Sequence, residues 1–189
     1  MSEKVLVSVD CSNLFHMARK HFGRKIDYSK YLDIALDNYA MSCYRAFAYG
    51  AQVDGEADGF ISCLRSFGFE PKYKRPKEFT RFLDSNIERA LKDANIDVDL
   101  ITSIASTAKR EIRKADWDIG IAIDVVRHIS RVDTVVLGTS DDDFVPLVEY
   151  IKEQGCYCIV YACNIPKTLR NVANQCIEID DRVLEEKRD

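Results

Sequence analysis

Short apolar runs alternate with helical patterns along almost the whole chain, and this alternation constrains the fold more than any other feature. Residues 4–10 carry Val5, Leu6, Val7 and Val9 and stop at Asp10, which reads as a buried strand with a polar end. Further strands are expected at 42–52, 69–74, 134–137, 156–161 and 176–179. Between them, apolar residues recur at helical spacing over 14–22, 27–40, 57–67, 118–129, 144–154 and 167–174. Gly23, Gly68 and Gly155 stand where three of these helices should stop. Ser12 is the expected cap of the first helix, and Pro146 suits a first turn, where backbone donors lack helical partners. The helix at 118–129 is apolar almost all round (Ile119, Ile121, Ile123, Val125, Val126, Ile129), which predicts burial on every side. Strands alternating with helices make βαβ units and a mainly parallel sheet, an α/β fold.

The stretch 76–114 interrupts the pattern. It reads as one or two helices, 79–94 and 100–114, broken at Asn95-Ile96-Asp97. The expected organisation is one domain over 1–180 with a helical insertion at about 76–114, followed by a C-terminal tail at 181–189. A chain of 189 residues, 47% hydrophobic and 31% charged, suits one folded core. No apolar run approaches the roughly 18 residues of a membrane span, and the N-terminus lacks the pattern of a signal peptide. The expectation is a cytoplasmic protein with no membrane partner. Seven cysteines, an odd number with no CxxC pair, read as reduced and mostly buried thiols. Cys11 has no evident histidine partner that would make it a nucleophile.

Parallel sheets place their chemistry at the carboxyl ends of the strands. Asp10 stands at one such end, with Asn13 three residues on. Another strand leads into Thr139-Ser140-Asp141-Asp142-Asp143, and the helix at 118–129 contributes Asp118 and Asp124. Carboxylates that converge repel one another unless a cation neutralises them. Oxygen ligands from Asp and Asn suit Mg²⁺ or Mn²⁺. Such an ion with open positions orients water and stabilises charge on a phosphodiester. Each acid also has a plainer reading. Asp10, Asp118 and Asp143 each suit a helix cap, and Asp142 suits a solvated turn. Asp124 lies among Ile123, Val125 and Val126, so its carboxylate needs a partner. Asp118 and Asp124 are six residues apart, about 120° around a helix and about 9 Å along it, too divergent to ligate one ion. Asp118 is therefore the preferred ligand. Asp124 is left to reach the pocket edge, to hold Asn13 or a water, or to bind a second ion.

The net charge of −4 argues against indiscriminate binding to nucleic acid. From residue 72 to 114, however, eleven Lys and Arg stand against seven Asp and Glu, a net of +4 that leaves −8 elsewhere. Lys72, Lys74, Arg75, Lys77, Arg81, Arg110, Arg113 and Lys114 are the candidate phosphate-backbone contacts. A solvated helical face is the equal alternative for this stretch. Phosphate-binding glycine signatures of the P-loop or dinucleotide type are absent.

Three segments together resemble a known family. Val9-Asp10-Cys11-Ser12-Asn13-Leu14 resembles the D-x-x-N signature that opens NYN domains, the LabA-type branch of the PIN-like ribonuclease superfamily. Asp118-Ile119-Gly120-Ile121-Ala122-Ile123-Asp124 resembles their middle acidic segment, and Thr139-Ser140-Asp141-Asp142-Asp143-Phe144-Val145-Pro146-Leu147 their S-G-D-x-D-F-x-P-L segment. The resemblance implies a PIN-like three-layer sandwich and a Mg²⁺- or Mn²⁺-dependent endoribonuclease. Its metal-binding carboxylates carry over onto Asp10, Asp118, Asp141 and Asp143, with Asn13, Thr139, Ser140 and Asp124 in support. RNA is the implied partner, and a homodimer is allowed by family analogy alone. Departures are Thr139 and Ser140 where the family has Ser and Gly, Asp116-Trp117 where it has Lys-Gly, and the long 76–114 segment. A non-catalytic binding module and a DNA-directed nuclease of the same fold are the alternatives.

Overall fold

Residues Val5 to Val9 are all buried, although successive side chains of a strand point to opposite faces. The same holds from Thr134 to Gly138 and from Cys158 to Ala162, so the central strands are covered on both faces. This makes the chain a three-layer α/β fold, seen in a computed structural model that describes residues 3–37, 42–51, 58–74, 77–79, 112–114 and 117–186. Strands β1 (Lys4–Asp10), β2 (Ser42–Ala51), β3 (Glu70–Lys74), β6 (Thr134–Gly138), β7 (Tyr157–Ala162) and β8 (Gln175–Glu178) form one sheet in the order β3-β2-β1-β6-β7-β8. Every neighbouring pair is parallel. From β1 the chain winds outward to β2 and β3, then returns to β6 and winds the other way to β7 and β8. The reversal falls between β1 and β6, the place where open parallel sheets form a ligand crevice.

The helices are α1 (Cys11–Phe22), α2 (Tyr28–Asp37), α3 (Asp58–Ser66), α4 (Asp118–His128), α5 (Val145–Glu153) and α6 (Lys167–Val172). α1 packs on β1 and β2, α3 on β3, α4 on β1 and α5 on β7. Asp10, not Ser12, caps α1: its Oδ1 accepts from the Asn13 N–H at 3.0 Å. Gly23 closes α1 at φ +67°, a conformation that disfavours residues with a Cβ. α4 is not buried on every side. Ile121, Asp124 and Val125 turn inward, while Ile119, Ile123 and Val126 are exposed. A helix lying on one sheet face hides only one stripe, whatever residues occupy the opposite side.

Residues Met1–Arg75 and Asp116–Asp189 form one compact unit and Pro76–Ala115 a second. In the second, Lys77–Phe79 (β4) and Ile112–Lys114 (β5) pair as antiparallel strands, where the sequence pattern predicts helix at Phe79 and at 112–114. The backbone register sets Glu78 opposite Arg113, a long-range pairing that helical periodicity cannot report. The remainder of the expected helices, 80–111, lies outside the described residues. Residues 181–184, expected to begin a tail, are docked instead. Val183 and Leu184 are buried, Leu184 bridges to Ile26, and Asp27 N–H donates to Val183 O at 2.8 Å.

Gly138 ends β6 beside Val9, and its hydrogen faces a filled space. An added Cβ meets the Tyr31 hydroxyl at 2.7 Å and the two Val9 methyls at 3.1 and 3.2 Å. Tyr31 cannot yield easily, because it stacks on Tyr161 at 4.4 Å and donates to Tyr161 O at 2.8 Å. Gly138→Ala is expected to cost about 1–3 kcal/mol through overpacking. A thermal melt unchanged within about 1 °C removes this account.

Candidate metal centre

The site is built where β1 and β6 end side by side, Val9 pairing with Gly138. From Gly138 the chain runs through Thr139 and Ser140 into a 3₁₀ turn at Asp142–Phe144, then into α5 with Pro146 in its first turn. Several bonds set this loop. Asn13 Oδ1 accepts from Ser140 N–H at 2.9 Å, tying the start of α1 to the loop across the sheet. The Ser140 hydroxyl donates to Cys163 O at the end of β7. Thr139 Oγ1 accepts from Asp141 N–H at 3.2 Å, and Asp141 Oδ1 accepts from Asp143 N–H at 3.1 Å. Asp142, expected as a solvated turn residue, is exposed but also accepts from Thr168 Oγ1 of α6.

Asp118 enters from the first turn of α4. One carboxylate oxygen each from Asp118, Asp141 and Asp143 lie within 4.8 Å of one another. Asp118 and Asp141 are half-buried and Asp143 is exposed, so the group opens to solvent on one side. Three like charges this close repel, and a divalent cation relieves that repulsion. An all-oxygen donor set fits a hard ion such as Mg²⁺ or Mn²⁺ and not one that prefers sulfur or imidazole. Among the described residues Asp10 stands outside this close group, its Oδ1 turned back onto the α1 backbone.

Asp124 stands apart from both. It is 5% exposed, and its Oδ2 accepts from the Tyr49 hydroxyl at 2.9 Å and from Lys72 Nζ at 2.5 Å. Its partner is therefore neither Asn13 nor the acid cluster. Asp10, Tyr49 and Lys72 occupy one row of the sheet, paired in register across β1, β2 and β3, and α4 lays Asp124 over that row. Lys72 also sits over the Phe47 ring at 4.4 Å. It is thus engaged inside the fold, not held out as a phosphate contact. Lys74 lies over the Trp117 ring at 4.5 Å. Lys77, Arg113 and Lys114 fall on β4 and β5 of the second unit, and Arg75, Arg81 and Arg110 lie outside the described residues.

Sequence reasoning passed over Tyr49, Thr168 and the role of Trp117. Tyr49 looked like any aromatic in a strand, and Thr168 carried no signal. Trp117 was legible only as an unusual neighbour of Asp118. Its indole N–H donates to Gly50 O at 2.8 Å, fastening the start of α4 to the end of β2.

All seven cysteines are unpaired. Cys11 is buried beside the site, and desolvation pushes its thiol up to about 12, against a weaker lowering effect of Tyr28. Burial and a raised pKa both disfavour the reactive thiolate at Cys11. Iodoacetamide at pH 8 is expected to label exposed Cys43 and Cys63 well before Cys11, Cys158 or Cys163. Peptide mass mapping that finds Cys11 labelled early in the folded protein contradicts this.

The family model of the NYN domain matches residues 4–180. The chain is similar to the low amplitude and bright protein LabA of Synechococcus elongatus, at 23% identity over 181 residues, covering 94% of this chain and 84% of LabA. It is also similar to a Vibrio parahaemolyticus protein whose crystal structure is described as one of unknown function. There the TM-score is 0.73 and the identity 26%, with 97% of each chain covered.

Proposed function

The chain belongs to the NYN domain family, and on that premise we propose that it is a divalent-metal-dependent endoribonuclease of the cytoplasm. The observation that carries this reading is the convergence of Asp118, Asp141 and Asp143 at the strand-order reversal. NYN domains are generally nucleases, which supports it further.

Asp118, Asp141 and Asp143 would hold Mg²⁺ or Mn²⁺, with Asp10 at the neighbouring strand end. An ion held there would supply an activated water and charge stabilisation at the phosphodiester. The rest is work of the chain's own residues. Asn13 holds Ser140, Ser140 holds Cys163, and Thr139 and Asp141 fold the turn that presents Asp143. These bonds place the carboxylates before substrate arrives, so less ordering is left to the reaction. The open side of the cluster gives a phosphodiester access.

The test is incubation with labelled single-stranded RNA and DNA in Mn²⁺, Mg²⁺ or EDTA. Internal cleavage of RNA, lost in EDTA, is the expected result. Cleavage of DNA alone shifts the reading to a DNA-directed nuclease. No cleavage by folded protein in either metal replaces it with a non-catalytic binding module.

A further inference from the structure

We propose that Trp117 is a stacking platform for a nucleobase beside the cleaved phosphodiester, and that Lys74 is a displaceable cover over that platform. This rests on the nuclease reading above and specifies how its substrate is gripped.

Trp117 is the only tryptophan in the chain, and it directly precedes Asp118 of the acid cluster. Its ring is seated firmly. The indole N–H is bonded to Gly50 O at 2.8 Å, and Tyr49 packs against the ring at 5.5 Å between centroids. The helix backbone at Gly120 approaches so closely that a Cβ there falls 2.7 Å from Trp117 Cε3. Despite this, the ring is not fully buried. Among the described residues, the ammonium of Lys74 lies over its face, 4.5 Å from the centroid. Lys74 is exposed, and among the described residues it forms no ion pair.

A rigid aromatic ring and a mobile cation beside it are the two components by which proteins hold single strands. A cation on a partly exposed aromatic face is held weakly, and every base offers a π-face to take its place. The released ammonium then has a phosphate of the same strand within the reach of its four-carbon stem. A duplex keeps its bases stacked internally and offers none, so the arrangement selects unpaired strands. Lys74 and Trp117 thereby give a specific role to one cation of the basic stretch, whereas Lys72, two residues away on the same strand face, is consumed by Asp124.

The experiment uses the full chain and the emission of its single tryptophan. A 12-nucleotide single-stranded RNA and its duplex are titrated in EDTA, with fluorescence anisotropy of a 5′ label as an independent measure of binding. Single-stranded RNA is expected to quench Trp117 in step with the anisotropy change, and duplex is expected not to. Trp117→Leu is expected to weaken single-strand binding about 5- to 100-fold, with Trp117→Phe recovering most of it. Lys74→Ala is expected to reduce the slope of log affinity against log salt by about 0.7, the share of one phosphate contact on a single strand. Binding with unchanged Trp117 emission overturns this proposal and leaves the nuclease reading standing. Equal quenching by duplex also overturns it. Cleavage-competent protein that binds with the same affinity in wild type and Trp117→Leu overturns it without recourse to fluorescence. Absence of both binding and cleavage overturns the nuclease reading and this proposal with it.

Discussion

Asp141→Asn is expected to lower metal-dependent cleavage at least about 100-fold in kcat/KM and to leave the fold intact. The size follows from the several kcal/mol of charge stabilisation that a correctly held ion supplies to the transition state. Asparagine keeps the shape and keeps an oxygen that accepts from Asp143 N–H, so the 3₁₀ turn retains its cap. Only a negative charge is removed, from a group whose members lie within 4.8 Å of one another. Without added metal the variant should therefore melt at the same temperature or slightly higher, because like-charge repulsion falls. Metal separates the two proteins further. At a concentration about 100 times its Kd, an ion that binds only the folded state adds about 2.7 kcal/mol, or roughly 5–11 °C in a chain of this size. The wild type should show such a rise with Mn²⁺ and the variant much less. Cleavage retained within a few-fold, or a variant that melts far lower and loses activity for that reason, contradicts the assignment of Asp141.

Lys72→Met is expected to destabilise the protein by about 3 kcal/mol, a fall of roughly 6–12 °C in Tm, with little change in the salt dependence of RNA binding. The reason is Asp124. Its side chain is 8% exposed, and Lys72, whose side chain is 34% exposed, is its close counter-charge with Nζ at 2.5 Å. Arg127 stands at 3.8 Å but is 70% exposed, so solvent screens its help. Removing Lys72 leaves a carboxylate under the sheet face with the Tyr49 hydroxyl as its close partner. Breaking a buried pair in this way costs more than the pair contributes, because the surviving charge stays desolvated. The double variant Lys72→Met/Asp124→Leu should accordingly recover more than half of the loss, a non-additivity that a double-mutant cycle measures directly. A flattened salt slope with an unchanged Tm returns Lys72 to the phosphate contacts that its charge suggested.

The strands of the main sheet were legible because parallel strands buried on both faces leave continuous apolar runs, as at Val5–Val7 and Thr134–Leu137. Asp10, Asp141 and Asp143 were legible because they follow those runs, and Asp118 because it opens a helical pattern. The cap of α1 was placed two residues late, at Ser12, because Asp10 serves both as strand end and as cap. Burial of α4 was overestimated, since Ile119, Ile123 and Val126 belong to its outer side. The ends of the insertion were read as helix, and pair as strands over a separation that no local period records.

By itself the sequence determined the α/β class, the strand ends that carry Asp10, Asp141 and Asp143, and the helix start that carries Asp118. These are local properties, set by runs of apolar residues and the polar residues that end them. Tertiary structure alone decided which carboxylates meet. Asp118 joins Asp141 and Asp143 because α4 packs on β1, whose end pairs with the end of β6. Asp124 is claimed by Tyr49 and Lys72, 75 and 52 residues away, because strand register sets those two side by side beneath it. Register and helix placement are settled by packing over the whole sheet, and packing at such separations leaves no mark in the local order of residues.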